Sequence, residues 1–127
     1  MAEDYVEAID EIVSQQGECR VVDLARRFGV THVTVSRTTR RLVRDGLIET
    51  RPYGPIQLTD EGRSLARTSR DRHELVLNFL RVLGVGEPTA EVDAEGIEHH
   101  CSHETLQKMK QFIAERKRRP RARPRPQ

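Results

Sequence analysis

Apolar residues recur at helical spacing through the first 46 residues, in segments that each end at a glycine. The three segments and the glycines that follow them are residues 4–16 with Gly17, residues 22–28 with Gly29, and residues 32–45 with Gly46. Apolar positions three or four residues apart predict amphipathic helices, and glycine is favoured just beyond a helix end. The pattern therefore predicts three helices, the first with apolar positions Tyr5, Val6, Ile9, Ile12 and Val13.

The second and third predicted helices are joined by a short turn that ends at Thr31, the expected N-cap of the third helix. Two helices joined by such a turn form a helix-turn-helix. The expected buried stripe of the third helix is Val35, Thr39, Leu42 and Val43. Beyond it, residues 47–51 and 56–58 read as short strands around a Pro/Gly turn, which predicts a β wing.

The second half of the chain is predicted to be helical. A long helix is expected from a cap at residues 59–61 to Gly84, followed by one helix within residues 90–100 and another after Ser102. From Arg116 onward, arginine and proline alternate without an apolar pattern, which predicts a disordered tail. The expected fold class is thus mainly α with a small two-stranded β wing.

The composition indicates a thin hydrophobic core. Of the 127 residues, 35% are hydrophobic and 33% are charged, whereas ordinary domains are about 45–50% apolar with glycine included. A chain this polar is expected to bury its remaining apolar surface against a second copy of itself, because small domains bury a smaller fraction of their surface. We therefore expect a homodimer.

The sequence also predicts a cytoplasmic protein without a membrane partner. No segment approaches the roughly 18 consecutive apolar residues of a membrane helix, and Met1 is followed by acidic residues where a signal peptide would be basic. Cys19 and Cys101 form neither a CxxC pair nor a disulfide framework. We expect reduced thiols and no thiolate zinc site.

The net charge of +2 conceals a segregation of charge along the chain. Residues 1–19 contain six acidic residues and no basic one, and residues 82–115 contain seven acidic residues and two lysines. Residues 20–81 contain thirteen basic and seven acidic residues, and residues 116–127 contain seven basic residues and no acidic one. The basic middle segment suggests a polyanionic partner, and the two acidic segments suggest a shared cation.

A helix-turn-helix followed by a wing is a known way to present a helix to the major groove of DNA. The candidate DNA-binding residues are His32, Thr34, Ser36, Arg37, Arg40, Arg41 and Arg51, with Arg44 on the same face. Thr34, Ser36 and Arg37 come early in the third helix, where side chains reach base edges, and the later arginines suit phosphates. The alternative is an ordinary solvated helix surface. The basic tail either adds phosphate attraction or only aids solubility.

Six residues are candidate metal ligands. Glu95, Glu98 and His99 share one face of a predicted helix, Asp4 and Glu7 repeat that spacing on the first helix, and His73 lies near the middle of the long helix. Neither segment has enough basic residues to neutralise these carboxylates, whereas a divalent cation would. Oxygen and imidazole ligands without thiolate favour Mn2+ over zinc, and the number of ligands suits two ions. The alternative is a solvated acidic face with a structural His73.

The motifs together resemble the manganese transport regulators, a branch of the diphtheria toxin repressor family. The resemblance rests on the helix-turn-helix, the wing, the segment Arg72-His73-Glu74-Leu75 and the segment from Asp93 to His100, and it covers residues 3 to about 113. It implies that Asp4, Glu7, His73, Glu95, Glu98 and His99 hold two manganese ions per subunit, with Fe2+, Co2+, Cd2+ or Zn2+ as substitutes. The iron-responsive relatives carry sulfur ligands where this chain has Asp4 and Glu95.

The same resemblance implies a homodimer that binds palindromic operators in double-stranded DNA and represses manganese-uptake genes. The expected domains are a winged helix-turn-helix DNA-binding domain at residues 1–70, a helical dimerisation and metal-binding domain at 71–115, and a basic tail at 116–127. One alternative is a metal-independent winged-helix regulator. Another is a di-metal carboxylate enzyme, which is disfavoured because such sites use Glu-x-x-His twice. We therefore expect neither catalysis nor a small-molecule substrate.

Overall fold

The computed structural model describes residues 1–118, which contain six helices and one two-stranded antiparallel sheet. The elements are α1 (Ala2–Gln16), α2 (Val21–Phe28), α3 (His32–Arg44), β1 (Ile48–Glu49), β2 (Gln57–Leu58), α4 (Asp60–Leu83), α5 (Thr89–Glu98) and α6 (His103–Arg118). The chain divides into two compact units, the first ending at Arg70 and the second beginning at Asp71. The predicted fold class is confirmed. Across residues 1–118, none of the helices is both long and apolar enough to cross a lipid bilayer.

The core of the first unit brings together the apolar faces of α1, α2 and α3. Ile9, Leu24, Val35 and Leu42 are fully buried, and Ile48 of β1 joins them. Thr31 caps α3 as expected, since its hydroxyl accepts a hydrogen bond from the backbone N–H of Thr34 at 3.2 Å. The orientation of α3 is therefore fixed by one buried stripe and one cap.

The wing is shorter than the sequence pattern predicts. In its two-residue ladder, Ile48 pairs with Leu58 and Glu49 pairs with Gln57. The prolines at positions 52 and 55 lack the N–H that a longer ladder needs, which accounts for the short pairing. Ile56 extends the wing toward the first helices, because its N–H donates to the carbonyl of Cys19 at 2.7 Å.

The start of α4 packs closely against the wing. The hydroxyl of Thr59 donates to the carbonyl of Gly46 at 2.6 Å and accepts a hydrogen bond from the N–H of Gly62 at 3.0 Å. A Cβ at Gly62 would lie 2.0 Å from the carbonyl oxygen of Leu47. Only glycine fits at this position, because the obstructing atom belongs to the backbone.

The second unit has a small core built on alanines. Val76, Leu77 and Leu80 of α4 pack against Ala90 and Ala94 of α5, whose small side chains allow the two helices to approach closely. Leu106 and Met109 of α6 pack on this cluster without being fully buried. The hydroxyl of Ser102 caps α6 by accepting the N–H of Thr105 at 3.2 Å, as its position predicts.

Besides the shorter wing, the structure differs from the sequence-based expectation at three places. Val43 is 42% exposed, because it lies a quarter turn away from the buried stripe of α3. The apolar positions that predict the long helix up to Gly84 include Leu83, yet Leu83 is 56% exposed at the end of α4. Helix α6 includes Arg116–Arg118, the first residues of the predicted disordered tail, where basic side chains favour a helix C-terminus. The rest of the predicted tail lies outside the described residues.

Gly62→Ala is expected to destabilise the first unit by about 1–3 kcal/mol, because the added methyl group displaces the Leu47 carbonyl. Urea unfolding measures the loss. Gly86→Ala is the control, since nothing lies within 4 Å of a Cβ there, and a change of less than about 1 kcal/mol is expected. Equal effects of the two substitutions would contradict the close approach.

The Cys19 thiol is expected to stay protonated and unreactive in the folded protein. Burial raises its pKa from 9.0 to about 12, and the negative charge of Asp23 adds to the rise. Because the folded pKa lies above the unfolded one, the protonated Cys19 thiol makes its full contribution to folding stability below pH 9. That contribution is lost as the pH rises toward 12. At pH 8 a thiol reagent should label the less buried Cys101 rapidly and Cys19 only on unfolding. Equal labelling rates would contradict this expectation.

Candidate nucleic-acid interface and metal centre

Helix α3 presents a basic face opposite the residues that anchor it. Val35, Thr39 and Leu42 are buried and repeat at helical spacing, so the intervening positions point outward. Six of the seven candidate DNA-binding residues are exposed: His32, Thr34, Arg37, Arg40, Arg41 and Arg51. Ser36 is half-buried at the edge of this face.

Some arginines of the first unit form ion pairs with acidic residues, whereas, among residues 1–118, arginines on the exposed face of α3 do not. Arg27 pairs with Glu11, and Arg70 pairs with Asp10. By contrast, Arg37, Arg40 and Arg41 form no ion pair with any acidic residue in the described part of the chain. Their guanidinium groups are therefore available to an anionic partner such as DNA.

Four of the six candidate metal ligands come together in the second unit. His73 Nδ1 lies 2.7 Å from Glu98 Oε2 and 3.6 Å from Glu95 Oε2. His99 Nε2 lies 3.7 Å from Glu95 Oε1 and 3.7 Å from Glu98 Oε1. Donor atoms of His73, Glu95 and Glu98 lie within 4.8 Å of one another. Imidazole and carboxylate donors at this spacing can hold a divalent cation.

The packing of α5 explains this convergence. Ala90 and Ala94 face the core, which turns Glu91, Glu95 and Glu98 toward His73. Glu98 is only 4% exposed, and its carboxylate accepts a hydrogen bond from the His73 ring. A buried carboxylate is costly unless it has a positive or hydrogen-bonding partner. The position therefore favours a cation beside Glu98.

Burial and charge act in opposite directions on the pKa of His73. Burial lowers the pKa of His73. The hydrogen bond to Glu98 and the negative charges of Glu98 and Glu95 together raise it by more, so the net pKa is above its usual value. Burial raises the pKa of Glu98, and the hydrogen bond to His73 opposes that rise only in part. The cluster thus behaves as a site with an excess of negative charge.

Sequence reasoning missed one acidic residue of this cluster. Glu91 Oε2 lies 3.5 Å from His73 Nε2, the ring nitrogen that does not contact Glu98, and Glu91 Oε1 lies 3.9 Å from Arg81 Nη2. Glu91 could have been found from the sequence, because it lies four residues before Glu95 and therefore on the same helix face. His100, which was not expected to be a ligand, lies beyond the end of α5 and lines a surface depression with Val92 and Ile97.

The remaining two candidate ligands belong to the first unit. Asp4 and Glu7 lie three positions apart on α1, so both project from one face of that helix, and each is partly buried.

Two protein families match the chain. The family described as "Iron dependent repressor, metal binding and dimerisation domain" matches residues 59–127, and the MarR family matches residues 6–53. The transcriptional regulator MntR of Escherichia coli O6:H1 (strain CFT073) is 48% identical over 112 residues, which are 88% of this chain and 72% of the relative. The chain belongs to the MntR family of transcriptional regulators.

More distant relatives agree with this assignment. The HTH-type transcriptional regulator MntR of Bacillus subtilis (strain 168) is 32% identical over 87% of this chain and 78% of that protein. A solved manganese-dependent transcriptional repressor in complex with manganese is 30% identical, covers 90% of this chain and superposes with a TM-score of 0.76. This MntR-family chain spans about half of that solved chain, 53% of its length.

Membership of the MntR family decides between the functions considered from the sequence. The expectation of a metal-dependent transcriptional regulator from the manganese branch is confirmed, and so is the resemblance on which it rested. The di-metal enzyme alternative is wrong, because this is a family of regulators and not of enzymes. The matched domain is described as both metal-binding and dimerising, which agrees with the expected metal dependence and homodimer.

Arg40→Ala is expected to weaken DNA binding on all sequences and to reduce the slope of log affinity against log salt by about 0.9, the value for one lost phosphate contact. Fluorescence anisotropy over a salt series measures this slope. Arg67→Ala is the matched control, because Arg67 is an exposed arginine of the same unit that lies on α4 rather than α3. The same change of slope in both variants would show that the salt dependence of DNA binding reflects the net charge of the chain and not a phosphate contact by Arg40.

Proposed function

We propose that this chain is a manganese-activated regulator that binds palindromic operators in double-stranded DNA as a homodimer and represses manganese-uptake genes in the cytoplasm. The observation that carries the proposal is the convergence of His73, Glu95, Glu98 and His99 in a chain that also presents an unpaired arginine face. Its relatives are named MntR, and the solved repressor described above is manganese-dependent.

The donor set supports manganese as the activating ion. Nitrogen and oxygen donors without thiolate suit Mn2+, whereas structural zinc and iron–sulfur sites usually contain cysteine. We assign Asp4 and Glu7 as the other two ligands, because they are paired on one helix face in a segment without a basic residue. Six ligands suit two ions per subunit. Fe2+, Co2+, Cd2+ and Zn2+ are expected to substitute, because these ions also accept imidazole and carboxylate ligands.

The exposed face of α3 supports the DNA-binding part of the proposal. Thr34, Ser36 and Arg37 lie in the first half of the helix, where major-groove helices contact base edges. The candidate phosphate contacts are Arg40, Arg41 and Arg51, with His32 at the start of the helix. Two copies of α3 in a homodimer would meet two half-sites, which is why a palindromic operator is proposed.

The surface of the second unit supports the homodimer. Within residues 103–118, helix α6 has no fully buried residue, although it carries an apolar stripe. Leu83, Val92 and Phe112 are 56%, 69% and 39% exposed. Apolar side chains of this size favour burial against another protein surface. Dimerisation would compensate for the small alanine-based core.

The carboxylates link ion binding to DNA binding through charge. Glu95 and Glu98 repel each other around His73, and we propose that Asp4 and Glu7 add two further negative charges when the site is complete. A bound divalent cation supplies the positive charge that offsets this repulsion. Raising the DNA-competent form from about 1% to about 99% requires about 5.5 kcal/mol in its favour. Six ligand side chains per subunit make an energy of this size attainable.

Mn2+ is expected to stimulate DNA binding by the wild-type chain, and Glu98→Ala is expected to reduce that stimulation roughly 10- to 100-fold. The factor corresponds to the loss of one charge-assisted interaction worth about 1.5–3 kcal/mol. The measurement is a DNA-binding titration at fixed salt, first with chelator and then with Mn2+. Glu98→Gln removes the charge while keeping the shape, so it separates ligand loss from a packing defect.

Glu115→Ala serves as the control, because Glu115 is an exposed acid of α6 outside the cluster and its loss should leave the stimulation intact. Tight DNA binding of equal affinity with chelator and with Mn2+ would indicate a metal-independent winged-helix regulator. Unchanged stimulation in both Glu98 variants would overturn the ligand assignment.

A further inference from the structure

Tyr53 occupies an unusual position at the tip of the wing. Its side chain is 100% exposed, and it is the one non-glycine residue among residues 1–118 with positive φ, at 60°. Positive φ is strained for a bulky side chain, whereas the adjacent Gly54 could adopt it without that penalty. The chain thus places an aromatic residue in a backbone conformation and an environment that both disfavour it.

Neighbouring groups hold the tip in this conformation. Arg20 Nη1 donates to the carbonyl of Tyr53 at 3.0 Å, and Arg20 Nε donates to Glu18 at 3.1 Å. The N–H of Gly54 donates to the carbonyl of Arg51 at 2.9 Å and closes the turn. The tip is therefore fixed to the segment between α1 and α2. Strained residues that are held in this way concentrate at functional sites.

The surroundings of Tyr53 indicate the chemistry of its partner. Residues 50–58 contain no acidic residue, and Arg51 is their one charged residue. The wing follows α3 directly, because the N–H of Leu47 donates to the carbonyl of Leu42 at 3.0 Å, and Ile48 is buried in the same core as Val35. A fully exposed phenol on a held backbone, two residues along the chain from the cation Arg51 and on the unit that carries α3, suits a phosphate oxygen.

We propose that Tyr53 is a DNA-contact residue. Its hydroxyl donates a hydrogen bond to a phosphate oxygen of the operator, and its ring packs on the neighbouring sugar while α3 lies in the major groove. This inference rests on the proposed function. The hydrogen bonds from Arg20 and Gly54 already hold the Tyr53 backbone in the absence of DNA, which lowers the entropic cost of forming the contact. Because the contact is with the backbone, it contributes affinity without sequence preference.

The test uses the full chain with saturating Mn2+ and compares Tyr53→Phe, Tyr53→Gly and Arg51→Ala. Affinity is measured over a salt series, on a random-sequence duplex and on duplexes selected by the wild-type chain. Tyr53→Phe should weaken binding roughly 2- to 10-fold, as for one lost hydrogen bond, and Tyr53→Gly should weaken it further. Both variants should keep the wild-type salt slope, because tyrosine is neutral, whereas Arg51→Ala should reduce the slope by about 0.9.

Stability separates a contact role from a structural one. Tyr53→Gly relieves the backbone strain, so its urea midpoint should equal or exceed that of the wild type while its DNA affinity falls. A lower midpoint together with lower affinity would mean that Tyr53 only maintains the wing, and this would overturn the inference. Wild-type affinity in both Tyr53 variants would also overturn it. Failure of the wild-type chain to bind any duplex would instead overturn the proposed function.

Discussion

The buried carboxylate of Glu98 is the constraint around which the second unit is organised. It is held against the His73 ring because Ala90 and Ala94 allow α5 to lie close to α4. Moving α5 away would expose those apolar contacts, and keeping it in place retains three glutamates around one imidazole. Packing energy therefore maintains an arrangement that electrostatic repulsion opposes, and this opposition is what makes the cluster receptive to a cation.

The first unit uses burial in a comparable way to present charge on its surface. The buried side of α3 is anchored by Val35, Thr39 and Leu42, so its arginines lie on the opposite side without acidic partners in the described part of the chain. The close approach of Gly62 to Leu47 joins α4 to the same framework. Both functional surfaces are thus positioned by apolar contacts, and their chemistry comes from the side chains that these contacts leave exposed.

Geometry and family membership contribute different parts of the functional conclusion. The family matches identify a regulator with a metal-binding and dimerising second half. The structure adds which side chains of that half meet, and it adds Glu91 on the second nitrogen of His73. It also shows a strained tyrosine on the wing that neither composition nor motif spacing singled out. These features belong to this chain and can be tested independently of its relatives.

The sequence by itself determined the helices, the presence of the wing and the cap at Thr31, because these depend on local spacing and residue type, and it named six candidate ligands. Glu95, Glu98 and His99 lie on one side of the chain wherever this segment is helical, because their spacing is three and four residues. Only the tertiary structure decided that His73 faces Glu98 and Glu91, that Val43 is exposed and that Tyr53 adopts positive φ. Those outcomes depend on contacts between residues far apart in the chain, and local spacing does not encode such contacts.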